Sequence, residues 1–321
     1  MADEWALPGS RNRRRALLYG TAARVGARYA SLQLPNAPKG AARQRRLERI
    51  HEAGARDLYR TAVSLRAGFL KFGQFASARP DLLPEPYVRE LSKLQDRVPA
   101  APLSVIRQVI TGDLGSVDDN FTAFDPAASA ASLAQVHRAR RADDGRAVAV
   151  KVQYPRVREI VPLEAADTHR ILLLVSRFVK GVDLPTIAGQ LERMILSELD
   201  YGTEADNIER FAANFAGEPS IDVPTVHRDL SRGRVLTMDW VEGDNLARAL
   251  RESDRDTAEE ALRILVDAFL KQILVDGFVH SDPHPGNFLL QTPADGPPRL
   301  GVVDFGACTT LSDATRRGLR D

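Results

Sequence analysis

Two periodicities divide the apolar residues of this chain, and one gives way to the other near Phe121. Upstream, Leu47, Ile50, Ala53, Leu58, Ala62 and Leu65 recur at near-helical spacing, which predicts a helix over 41–66. A second helix is predicted over 67–78, stopped by Pro80, Pro84 and Pro86. Pro86-Tyr87-Val88 opens a third through about Arg97, and Pro102 opens a fourth through about Gly112, because proline fits a first helical turn and not an interior one. Together with one helix inside the stretch 1–40, these elements predict an all-helical region over 1–115. Downstream, short β-type runs over 132–139 and 147–153 are separated by Asp143-Asp144-Gly145, a hairpin signal. Helical patterns over 157–179 and 185–215 follow, then a buried strand over 235–241 and a helix over 257–276. The strand Phe288-Leu289-Leu290, a Pro/Gly loop over 292–298 and a strand over 300–303 complete the order. Helices first and a mixed region afterwards predict an α+β fold.

Charge adds one asymmetry. The 321 residues carry a formal +1, so the chain as a whole is not a nucleic-acid binder by balance. Residues 1–60 nevertheless hold 13 Lys and Arg against 5 Asp and Glu, a net of +8. That arm suits either an anionic membrane surface or plain solvation. One cysteine, Cys308, excludes an internal disulfide and fits a reducing compartment. No apolar run approaches the roughly 18 residues that span a bilayer. The expectation is a cytoplasmic protein, peripheral on the inner membrane face if the arm binds lipid.

The chemistry sits in His280-Ser281-Asp282-Pro283-His284-Pro285-Gly286-Asn287 and in Asp304-Phe305-Gly306. Moving a phosphoryl group needs a carboxylate that orients the acceptor hydroxyl, and oxygen ligands for the Mg²⁺ that neutralises the triphosphate. Asp282 fits the first role. Asn287 and Asp304 fit the second, because hard cations take oxygen donors. Ala147-Val148-Ala149-Val150-Lys151 reads as a strand ending on a phosphate-binding lysine.

Further motifs carry a family resemblance. They are Lys71-Phe72-Gly73-Gln74 with Arg79-Pro80-Asp81-Leu82-Leu83-Pro84, the Ala-rich Ala130-Ala131-Ser132-Leu133-Ala134-Gln135-Val136-His137, and Ser197-Glu198-Leu199-Asp200-Tyr201 followed by Glu204-Ala205 and Asn207. With the two acidic motifs they resemble the UbiB/AarF group of atypical protein-kinase-like proteins linked to isoprenoid quinone metabolism, over about residues 65–310. Ser129 replaces the outer alanine of the Ala-rich loop.

The resemblance implies a kinase-like two-lobed fold with a helical extension packed over the active site. Its parts are a basic arm over 1–40, the extension over 41–115, an N-lobe with inserted helices over 116–243 and a C-lobe over 244–321 that is short for the family. It implies ATP or ADP with Mg²⁺, and an isoprenoid or quinone-precursor lipid as partner. Glu204 would pair with Lys151. Ala130, Ala131 and Ser132 would face the nucleotide in a loop stiffer than a glycine loop, since alanine resists positive φ. Met238, Asp239 and Val241 would line the adenine pocket. Lys71 and Gln74 would be regulatory, with Lys71 meeting Glu198 or Asp200. His284, where ordinary kinases carry lysine, would make either a phosphate contact or a structural hydrogen bond. Aminoglycoside and choline kinases carry a similar His-to-Asn loop, so that loop leaves a small-molecule phosphotransferase open; the Lys71–Gln74 motif and the Ala-rich loop favour the first group. A nucleotide-binding scaffold without turnover is the third reading.

Overall fold

In the computed structural model, residues 10–77, 83–94, 100–176, 183–294 and 296–319 are described, without the side chains of Ala67, Gln74–Ser77 and Ala128. They form an α+β, kinase-like fold. The chain divides into two compact units: Met1–Ile106, Ser129–Gln135 and Gln153–Leu199 in the first, Arg107–Ala128, Val136–Val152 and Asp200–Asp321 in the second.

The first unit is built on α1 (Arg11–Ala30), α2 (Gly40–Leu65), α3 (Ala67–Ser77), α4 (Val157–Ser176) and α5 (Leu184–Ser197). Ser10 caps α1, its hydroxyl accepting from the Arg13 N–H at 3.4 Å. Arg66, at φ 57°, ends α2, and Arg14 Nη2 donates to the buried Leu65 carbonyl at the helix end at 2.5 Å. Leu18, Ala62, Leu65, Phe69, Leu70, Leu91 and Leu94 form the core here. Gly73 is required by close packing, because a Cβ there would lie 2.3 Å from Cδ1 of the fully buried Leu94. Arg14 also donates through Nε to Glu164 Oε1 at 2.8 Å, a buried ion pair between α1 and α4.

One helical pattern breaks where the sequence reads as continuous. The expected helix over 185–215 is two helices, α5 and α6 (Tyr201–Asn214). Asp200 Oδ1 accepts from the backbone N–H groups of Gly202 and Thr203 at 3.0 and 3.2 Å, and this capping starts a new helix. The predicted helix over 257–276 likewise changes form: α7 (Arg255–Leu270) passes into a π-helical turn, Lys271–Asp276, closed by Gly277 at φ 62°.

In the second unit, β1 (Phe121–Thr122), β2 (Ala134–Arg141), β3 (Ala147–Gln153) and β4 (Val235–Asp239) lie in that order in one sheet. Gly145, at φ 71°, makes the turn between β2 and β3. Val148, Val150 and Val152 are wholly buried on one face of β3, so its period of two sends Lys151 to the other face. β5 (Phe278–His280) pairs antiparallel with β8 (Cys308–Thr310), and β6 (Phe288–Gln291) pairs antiparallel with β7 (Arg299–Val302). Among the described residues, no helix is long and apolar enough to cross a membrane.

Candidate functional site

A strand, a helix and a turn of the second unit converge on one lysine. Lys151 Nζ, from β3, lies 2.6 Å from Glu204 Oε1 of α6 and 3.6 Å from Asp304 Oδ1 in the turn after β7. The Tyr201 ring centroid is 5.4 Å from the same nitrogen. Burial works against charge on Lys151, but Asp304 and then Glu204 outweigh it, so the ammonium persists well above the ordinary lysine range. The Glu204 carboxyl is pushed up by burial, against the pull of Lys151.

The helical period of α6 explains how Asp304 is held. Glu204, Asn207 and Phe211 are three and four residues apart and share a face. Asn207 Nδ2 donates to the Phe305 carbonyl at 3.0 Å, and the Phe211 and Phe305 rings meet edge to face at 5.1 Å. Phe305 is fully buried, which anchors the turn, while Asp304 beside it keeps 48% of its side chain exposed. Asp304 Oδ1 also accepts from the Gly306 N–H at 3.1 Å.

His280 ties the two acidic motifs together. Its Nε2 bonds the Asp304 carbonyl, and its Nδ1 accepts from the Asp282 N–H at 3.3 Å. Those partners assign the tautomer with the proton on Nε2. The ring is 1% exposed, and its backbone N–H donates to Oε1 of the buried Gln272 in the π-helical turn at 2.8 Å. The motif marks His280, but its positioning role was missed in the sequence, because the groups it holds are backbone atoms.

Asn287 Nδ2 donates to the Asp282 carbonyl at 3.1 Å, which leaves its side-chain oxygen as an acceptor. The register of β6 and β7, with Phe288 opposite Val302, brings Asn287 and Asp304 to one end of that strand pair, and Val303 N–H donates to the Asn287 carbonyl at 3.1 Å. Asp282 is half-buried. His284 is exposed, and its Nδ1 accepts from the Gly286 N–H at 3.1 Å, a local structural bond.

Met238, on β4, is buried and pairs with Ala149, two residues before Lys151. The Asp239 N–H already donates to the Thr225 carbonyl, and the Trp240 N–H to the Ala147 carbonyl. Of the donors expected along 239–241, that leaves the Val241 N–H, beside the Asp239 carbonyl. The Asp239 side chain is also engaged: Arg141 Nη1 donates to His227 Nδ1 at 2.6 Å, and His227 Nε2–H donates to Asp239 Oδ1 at 2.9 Å. Nothing in the spacing of His227 foretold that link.

Lys71, Gln74, Ala130, Ala131, Ser132 and Glu198 belong to the first unit. Lys71 Nζ of α3 lies 2.6 Å from Glu198 Oε1, at the end of α5. Gln74 is on α3, with its side chain outside the described residues. The Ala131 N–H donates to the Ala134 carbonyl at 2.8 Å, Ala130 is half-buried and Ser132 is buried. Among the described residues, those with side chains at positive φ are Arg66, Ala123 and Arg156, so Ala130 and Ala131 keep the ordinary hand.

The donors in the second unit fit a shared metal. Among the described residues, no cluster of three or more His, Cys, Asp and Glu could hold an ion alone. One exposed carboxylate and one amide oxygen suit Mg²⁺, which takes few protein ligands and completes its shell with phosphate and water.

The family model of the ABC1 atypical kinase-like domain matches residues 93–321. The Arabidopsis thaliana chloroplast protein ACTIVITY OF BC1 COMPLEX KINASE 1 is 36% identical over 282 residues, 83% of this chain and 39% of that one. The AarF domain-containing protein kinase 1 of Mus musculus is 34% identical over 275 residues, 84% of this chain and 52% of that one. The chain thus spans about half or less of these curated relatives. Among solved structures, Rv3197 of Mycobacterium tuberculosis, in complex with erythromycin, is 31% identical with a TM-score of 0.53, over 83% of this chain and 67% of that one.

Proposed function

From the premise that the chain belongs to the ABC1 atypical kinase-like family, we propose that it binds Mg-ATP or Mg-ADP in its second unit and acts as a phosphotransferase in isoprenoid or quinone metabolism. The observation that carries the reading is the cluster of Lys151 with Glu204 and Asp304. Glu204 orients the Lys151 ammonium toward the α and β phosphates. Asp304 and Asn287 would hold Mg²⁺, which would supply charge neutralisation on the triphosphate. Asp282 takes the proton of the acceptor hydroxyl as its oxygen bonds the γ phosphorus and the bond to ADP breaks. The Asp239 carbonyl and Val241 N–H read adenine beside Met238. The roles that the resemblance gives Ala130, Ala131 and Ser132 at the nucleotide, and Lys71, Gln74, Glu198 and Asp200 in restraint, are part of the same proposal. So is an anionic membrane surface as partner of residues 1–60.

The test is thermal denaturation of wild type and Asp304→Asn with Mg-ATP. Saturation at a hundredfold over Kd stabilises a folded protein by about 2.7 kcal/mol. The wild type should gain stability on that scale and the variant should not. Equal stabilisation of both would refute the metal assignment. ATP hydrolysis, with and without a quinone-precursor phenol, then separates an enzyme from a nucleotide-binding scaffold.

A further inference from the structure

A buried histidine holds the last residue of β4. His227 is 6% exposed, and its backbone is fastened to that strand and to the turn before it: its N–H donates to the Thr237 carbonyl at 2.9 Å, and Ser231 Oγ donates to its carbonyl at 2.7 Å. Its Nδ1 accepts from Arg141 Nη1 at 2.6 Å, which puts the ring proton on Nε2, and Nε2–H donates to Asp239 Oδ1 at 2.9 Å. Arg141 ends β2 and is itself held by Asp143 and Asp229. Arg146, across the β2–β3 hairpin, also reaches Asp239 Oδ1, at 3.6 Å, but its side chain is 55% exposed. A solvated arginine at that distance is a loose restraint, whereas a buried ring with both nitrogens engaged is a firm one. An apolar side chain at 227 would fill the space with no polar atoms to satisfy, so the value of the ring lies in what it holds.

What it holds is the residue that the proposed function sets against adenine. The Asp239 N–H donates to the Thr225 carbonyl at 2.9 Å, and the next N–H, of Trp240, donates to the Ala147 carbonyl at 3.0 Å. His227 fixes the Asp239 side chain as a third point. The Asp239 carbonyl lies between these fastenings, so its direction is set before a ligand arrives, and an acceptor fixed in advance binds with less ordering cost.

We infer that His227 is a positioning residue for nucleotide selection: through the Asp239 side chain it keeps the Asp239 carbonyl aimed at the exocyclic amino group of adenine. The inference rests on the adenine reading proposed above and adds the side chain that makes it selective. A carbonyl held in place accepts from the amino group and is left unsatisfied by a purine that lacks one. A carbonyl free to swing turns toward water instead and tells the two purines apart less well.

The test is a thermodynamic cycle on the full chain with Mg²⁺, titrating ATP and purine riboside triphosphate, which has no exocyclic amino group. The wild type should bind ATP about tenfold more tightly, the scale of one hydrogen bond. His227→Leu and Asp239→Ala should each cut that preference to about twofold or less, by weakening ATP and sparing purine riboside triphosphate, and the two substitutions together should do no more than either alone. His227→Gln keeps an N–H for Asp239 and should recover most of the preference. If His227→Leu loses its cooperative melting, Asp239→Ala, at a part-exposed side chain, decides alone. An unchanged preference in Asp239→Ala overturns the inference, and so does equal weakening of both nucleotides, the mark of a purely structural role; either result leaves nucleotide binding standing. A wild type that binds both nucleotides equally, or neither, overturns the adenine reading and the inference with it.

Discussion

The two compact units each hold a lysine 2.6 Å from a glutamate, and the two pairs do different work. Lys71–Glu198 joins two helices of the first unit, with the side chains 23% and 20% exposed. Lys151–Glu204 joins a strand to a helix in the second, with Glu204 1% exposed and Asp304 added on the far side. Water screens the first pair, so it is a modest latch. The second is desolvated, and removing one partner strands a buried charge. Distance alone does not reveal what an ion pair is for; burial does.

The largest test of that contrast is Lys151→Met. It should abolish Mg-ATP stabilisation and cost on the order of 3 kcal/mol in denaturant unfolding, because Glu204 loses its counter-ion in the interior. Retained Mg-ATP stabilisation would erase the difference between the pairs.

Arg14–Glu164 offers a buried pair outside the Lys151 cluster, its side chains 4% and 8% exposed. Burial pushes Glu164 up to about 7 from its ordinary 4.5. Between those values the folded chain keeps a proton that the unfolded chain has lost. Stability is therefore full below about 4.5 and falls as pH rises through 7, by about 3 kcal/mol at 1.36 kcal/mol for each pH unit. Urea melts across that range should show the slope, and Glu164→Gln should flatten it.

The smallest effect belongs to Lys71→Ala, about 1 kcal/mol or less of stability, shrinking further in 1 M salt. If the restraint reading holds, the same variant labels more strongly with radioactive ATP than wild type does. A loss as large as that of Lys151→Met would mean that the two pairs are alike.

Much of this was legible in the sequence, for stated reasons. The β3 strand follows from alternating valines bounded by a Gly145 turn, and its phase places Lys151 on the face opposite the core. The acidic motifs carry their own spacing. The break at Asp200 was hidden, because apolar residues keep a helical period on both sides of it and capping depends on where the side chain turns. The sequence left Glu198 and Asp200 as alternatives for Lys71; in the structure Lys71 pairs with Glu198 while Asp200 caps α6. Arg14–Glu164 was invisible, since 150 positions separate its partners and neither belongs to a motif. His280 and His227 act through ring nitrogens whose partners only the fold supplies.

The His280 ring has a consequence for noise. One rigid imidazole touches the backbone of Asp282 through one nitrogen and that of Asp304 through the other. Thermal displacement of either turn is passed to its counterpart, so the two wander in correlation. The spacing between the two carboxylates then fluctuates less than either position does. For a reaction whose rate depends on a gap between two groups, correlated wandering costs little where independent wandering would cost much.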